Sequence, residues 1–188
     1  MKLLVAIPPE KFRDDELKTI TTIFEKNQVS WELVSSHAGV VLGMFGKQVQ
    51  VQKTFEKILL KGIDEYDGLV IISGRGTEVH LINNRHLHEL VRIFQHKEKV
   101  IGAIGVAPLV LAKARILVKK EATVIKGPTV REMMVDDAIV VDKDLVYKNK
   151  IVTARGPEVS EQFAQIIVEY LTGNPEFQAT KSKAGFEF

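Results

Sequence analysis

Two stretches of this 188-residue chain place residues where α/β enzymes do their chemistry. The first is AIGVAP, Ala103 to Pro108, between the apolar run Val100-Ile101 and the helix-like LVLAKARIL. Many α/β enzymes hold a nucleophile there, on a sharp turn from strand to helix. This turn carries Gly105 and then Val106, and neither side chain can attack a carbonyl or move a proton. The second is SGRGTE, Ser73 to Glu78, where Gly74 and Gly76 permit a tight turn whose amides would face an anion. A glycine turn between strand and helix is also common in α/β folds without any ligand. Neither G-x-x-x-x-G-K-[ST] nor G-x-G-x-x-G occurs, so nucleotide binding by those loops is excluded.

The other reactive residue types offer less. With no cysteine in the chain, disulfides, thiolate metal sites and thiol mechanisms are all excluded. No two of His37, His80, His86, His88 and His96 are three or four residues apart, so no helix-borne metal pair forms. Neither a metal nor a cofactor is expected. The carboxylates of RDDE, Arg13 to Glu16, suit the positive start of a helix. Lys119 and Lys120 read as part of a solvated turn.

Elements that would position these residues follow from the hydrophobic pattern. Leu3 to Ile7 is a continuous apolar run, as in a central parallel strand buried on both faces. After Pro8-Pro9, Leu17, Ile20 and Phe24 recur at helical spacing, and an extended segment begins at Trp31. His37 to Gln52, with QVQVQ, reads as a small hairpin across an edge. YDGLVII (Tyr66 to Ile72) is a second buried run, followed by one long helix with the stripe Val79, Ile82, Leu87, Leu90, Val91 and Phe94. A third strand-helix unit spans Val100 to Leu117. Two strand-like runs flank the turn Asp142-Lys143-Asp144, and a last helix carries Phe163, Ile166, Ile167, Tyr170 and Leu171. Alternating strand and helix predicts a parallel sheet covered on both faces, with ligands at the carboxyl ends of its strands.

The 26 basic and 24 acidic residues are dispersed, for a net charge of +2, without the basic stripes that follow nucleic acid. The apolar start is too short for a secretory segment or a membrane span, and a cytoplasmic location is expected. One domain over residues 1–172 is expected, then a tail over 173–188 whose Phe177, Phe186 and Phe188 either fray or dock on a subunit.

Four motifs in order make the chain resemble the ThiJ/PfpI superfamily, which includes intracellular proteases, glyoxalases and deglycases. FRDDEL (Phe12 to Leu17) resembles the family's F-E-D-x-E-L, and YDGLVIISGRGTE resembles Y-D-x-L-x-x-x-G-G-R-A-P-E. AIGVAP falls on A-I-C-H-G-P, and IVTARGPEVSEQFAQIIVEYL on the C-terminal signature. The resemblance implies a flavodoxin-like three-layer α/β/α sandwich with a mostly parallel sheet, and a homo-oligomer, dimer or hexamer. It also implies that Gly105 stands for the nucleophilic cysteine, Val106 for the histidine and Arg13 for the acid, while Glu78 keeps a carboxylate that reaches across subunits.

Glycine at the elbow removes the strain of a positive φ, so the turn's shape is kept without its chemistry. The expectation is a noncatalytic protein that binds a small anion or serves assembly. Arg13, if it faces inward, would join Gly74, Arg75, Gly105 and Val106 in an anion site; otherwise it meets solvent or pairs with Asp14, Glu16 or Glu78. The alternative is an active hydrolase (peptidase), glyoxalase or deglycase that uses water, His80, Glu78 or Ser73 instead of cysteine, in a pocket between subunits.

Overall fold

In the computed structural model, residues 1–127, 130, 134 and 137–173 are described. The tail phenylalanines lie outside the described residues. Strands β1 (Lys2–Ala6), β2 (Ser30–Ser35), β5 (Lys53–Thr54), β6 (Gly68–Ile71), β7 (Val100–Ile104), β10 (Leu145–Lys148) and β11 (Ile151–Ala154) form one sheet. Their order is β10-β11-β7-β6-β1-β2-β5. Every pairing is parallel except the edge hairpin β10–β11. The hairpin turn is Asn149-Lys150, both at positive φ. The runs flanking Asp142–Asp144 do not pair with each other: β9 (Ile139–Val140) pairs with β8 (Glu121–Ala122), while β10 pairs with β11.

Helices cover both faces, as the uninterrupted apolar strands require. On one face lie α1 (Asp14–Lys26) and α6 (Ser160–Thr172), sharing a core with Leu3, Val5 and Ile7 of the first strand and its end. On the other lie α2 (Phe55–Lys61), α4 (Arg85–His96) and α5 (Pro108–Lys113), packed with Leu4, Ala6, Leu69 and Ile71. Alternate residues of β1 therefore serve opposite cores, and each buried large aliphatic side chain contributes roughly 1.5–3 kcal/mol.

The long helix expected from Val79 to Phe94 is two. Helix α3 (Arg75–His80) ends before Leu81, and Asn84 starts α4 by accepting from the Leu87 amide at 3.0 Å. Val79, counted in the apolar stripe, is exposed. The break is a capping effect: an asparagine side chain that accepts an amide favours a new helix start over continuation.

The hairpin β3 (Gly39–Leu42) and β4 (Gln48–Val51) lies beside β2 and is tied to α1. The buried Asp14 carboxylate accepts from the Phe45 and Lys47 amides at 2.9 and 2.7 Å. Thus Asp14 holds the hairpin tip rather than capping its own helix.

Candidate functional site

At the carboxyl ends of β1 and β6 the chain departs in opposite directions across the sheet, which opens the crevice where parallel sheets bind ligands. The Pro8-Pro9 pair turns the chain out of β1, and it returns alongside the end of β6. There Arg13 N donates to Ser73 O at 2.8 Å, and Phe12 bridges Gly74. Both glycines of SGRGTE are required by this close approach. A Cβ on Gly74 would stand 2.2 Å from Lys11 O, and one on Gly76 2.0 Å from Glu10 O. The loop on β1 explains the glycine turn without an anion.

The elbow follows β7. Gly105 has φ +66°, the left-handed region that costs other residues free energy. Its amide donates to Ala154 O at 3.0 Å, and its carbonyl accepts from Ile125 N at 2.9 Å. A Cβ built on Gly105 would lie 2.4 Å from Ser73 Oγ and 3.2 Å from Glu16 Oε1. The serine side chain therefore occupies space that an elbow side chain would need.

Beneath the elbow, Glu16 is completely buried. Its Oε2 accepts from Ser73 Oγ at 2.7 Å and from Ser73 N at 3.1 Å, while Oε1 has no hydrogen-bond partner among the described residues. Burial drives its pKa up from 4.5 to about 7 against the opposing pull of the Ser73 hydroxyl, the Ser73 amide and Arg13. An unpaired carboxylate in an apolar setting favours its neutral form.

The acid at the elbow is thus Glu16 and not Arg13. The Arg13 guanidinium instead bonds Asp15, with Nε to Oδ1 at 3.0 Å, and lies 5.8 Å from the Phe45 ring centroid. Asp15 was not among the acids expected to pair with it. A signal for Glu16 exists in the sequence: it stands four residues before Ile20 and seven before Ile23, both buried, on the inward face of α1. The run of three acids hid it among two that serve the surface and the hairpin.

The remaining candidates do not converge on the elbow. Val106 is buried in the core, while Arg75 and Glu78 are exposed on α3. His80 Nε2 lies 3.1 Å from Glu10 Oε1, His88 Nε2 donates to Ile82 O at 2.7 Å, and His37 Nδ1 lies 3.0 Å from Ser36 Oγ. The proposed anion set of Arg13, Gly74, Arg75, Gly105 and Val106 is therefore not assembled: Arg13 is paired, the Gly105 amide is used and Val106 faces the core. Among the described residues no group of three or more histidine, aspartate or glutamate side chains is placed to hold a metal ion. No helix among them is long and apolar enough to cross a membrane.

A mostly parallel sheet of this order, with a positive-φ turn from β7 into α5, defines a flavodoxin-like α/β protein built around a nucleophile-elbow turn. The chain belongs to the DJ-1/PfpI family, whose sequence pattern matches residues 1–170. It is 36% identical over 176 residues to an uncharacterized protein of Methanocaldococcus jannaschii, covering 93% of this chain and 84% of that protein. It is 30% identical over 116 residues to protein dj-1beta of Drosophila melanogaster, covering 61% of each. Among solved structures, the ThiJ/PfpI domain protein from Brachyspira murdochii superposes with TM-score 0.83 at 24% identity, over 92% of this chain and 97% of that one. Drosophila DJ-1beta superposes at 0.80 with 21% identity over 100% and 98%, and the putative protease I from Bacteroides thetaiotaomicron at 0.78 with 17% over 91% and 99%. These likenesses establish the same fold.

Proposed function

We propose that this chain is a noncatalytic DJ-1/PfpI protein, cytoplasmic and homo-oligomeric, that binds a small ligand or serves assembly, with residues 1–172 as one domain and 173–188 as a tail. One observation carries the reading. Ser73 Oγ lies 2.4 Å from where an elbow Cβ would be, so the nucleophile's space is filled by a side chain already bonded to Glu16. The exposed Val40, Leu42 and Phe45 of the β3–β4 hairpin support the assembly part, because such side chains gain by burial against a second copy.

A second reading has its own support. Ser73 Oγ donates to a carboxylate held near pH 7, the arrangement of a nucleophile and its base. In that case Oγ attacks an ester carbonyl, its proton passes to Glu16, and Glu16 returns that proton to the leaving alkoxide, which departs as the alcohol. Water then hydrolyses the acyl-serine. Against it, Ser73 is only 5% exposed, which leaves a substrate little approach.

Incubation with a fluorophosphonate probe, read by mass spectrometry, separates the two. The noncatalytic reading expects no adduct at Ser73. An adduct at Ser73 that disappears in Glu16→Gln would establish the hydrolase instead.

A further inference from the structure

Away from the elbow, α1, β2 and β4 enclose an open groove of about 530 Å³. Its volume falls within the range of small-molecule sites, and its lining is polar as much as apolar. Leu17, Trp31, Leu33 and Val49 supply its apolar wall, and Lys18 and Lys47 stand among its lining.

The charges in this groove are unevenly committed. Glu25 Oε1 accepts from Trp31 Nε1 at 3.1 Å, which fixes the indole. Glu32 Oε2 accepts from the Tyr66 hydroxyl at 2.6 Å and from Lys53 at 2.8 Å, and Lys2 lies 3.1 Å away. Glu32 is therefore offset by two ammonium groups, whereas the indole hydrogen bond orients Glu25 without removing its negative charge. The ammonium groups of Lys18 and Lys47 have no acceptor among the described residues, so two free cations stand against the one carboxylate, Glu25, that no cation offsets, and the excess charge of the lining is positive. An aromatic wall beside two free cations suits a ligand with a flat apolar body and one anionic group.

From this charge balance we infer that the groove between α1, β2 and the β3–β4 hairpin binds a small aromatic anion, a carboxylate or a phosphate ester. The inference rests on the ligand-binding part of the noncatalytic reading and places the ligand away from the elbow. It uses no residue of the Glu16–Ser73 pair.

Trp31 is the only tryptophan in the chain, so its emission reports on the groove directly. The intact protein is titrated with benzoate, phenylphosphate, inorganic phosphate and benzyl alcohol. Saturable change in Trp31 emission with benzoate or phenylphosphate is expected, at least tenfold weaker in Lys18→Ala/Lys47→Ala and weaker still with benzyl alcohol. Comparing the two aromatic anions tells carboxylate from phosphate, and inorganic phosphate tells charge alone from charge with an apolar body. Both lysines are exposed, so the variant keeps its fold, which circular dichroism checks. Absence of saturation with either aromatic anion, or equal affinity in the double variant, overturns the inference. Neither result bears on the elbow, whose silence is read separately by the fluorophosphonate probe.

Discussion

Glu16 and Glu32 are the same residue type at opposite ends of one sheet, and their surroundings push them in opposite directions. At the carboxyl ends of the strands, Glu16 is buried with a hydroxyl and an amide for company and one oxygen unpartnered. Towards the amino ends, Glu32 is half-buried, and the bonds from Lys53, Tyr66 and Lys2 outweigh its burial, so its pKa falls below the ordinary value. The fully buried Tyr66 ring is flanked by Lys2 and Lys53, 4.9 and 5.6 Å from its centroid. The lower end is arranged for stability. The upper end keeps a buried acid with one oxygen unpartnered, the kind of cost that collects at functional sites.

The largest test of this contrast is Gly105→Cys. The new side chain meets Ser73 Oγ at 2.4 Å and sits at φ +66°, and the overpacking and backbone strain together should cost about 4 kcal/mol in urea unfolding. A loss under about 1 kcal/mol would mean that the pocket relaxes freely.

The next test is pH. A carboxyl whose folded pKa is raised keeps its full contribution below the unfolded value of 4.5 and loses it as pH rises through about 7. The stability of the wild type relative to Glu16→Gln should thus fall across that window by on the order of 3 kcal/mol, the depressed His88 pKa acting in the opposite sense on both proteins alike. Glu32 works the other way, since its depressed pKa gives stability that is lost as acid protonates it. Tyr66→Phe removes a hydroxyl bonded to that carboxylate and should cost about 2 kcal/mol without changing the slope between 4.5 and 7. A changed slope there would assign the pH dependence to the wrong end of the sheet.

The smallest effect is expected at Arg13→Ala, under about 1 kcal/mol, because the Arg13–Asp15 pair is partly solvated. The variant should also bind benzoate and phenylphosphate as the wild type does. Loss of that binding would place the anion beside Arg13 and Phe45 instead of in the groove.

Much of this architecture is legible in the chain itself. The buried runs at Leu3 to Ile7 and Tyr66 to Ile72, and the stripe Phe163, Ile166 and Ile167, specify central strands and a packed last helix, because periodicity reports burial directly. The empty elbow is equally legible, since an absent side chain needs no structure to be seen. What the run of three adjacent acids obscures is which of them turns inward, since only the helical spacing from Glu16 to Ile20 and Ile23 marks it. Asp14 reaches the hairpin, Asp15 meets Arg13 and Glu16 goes under the elbow, and a 100° step per residue with tertiary partners decides among them. The same limit applies to Val79: its spacing fits the stripe, but Asn84 restarts the helix and leaves Val79 outside.

The central claim is that Ser73 fills the space an elbow side chain would take, and a double-mutant cycle on Gly105→Cys and Ser73→Gly tests it most directly. Removing the serine side chain should relieve the clash, so that the double variant recovers at least about 2 kcal/mol of the loss caused by Gly105→Cys alone. Additive losses would contradict the account, because they would mean that the two positions do not compete for the same space.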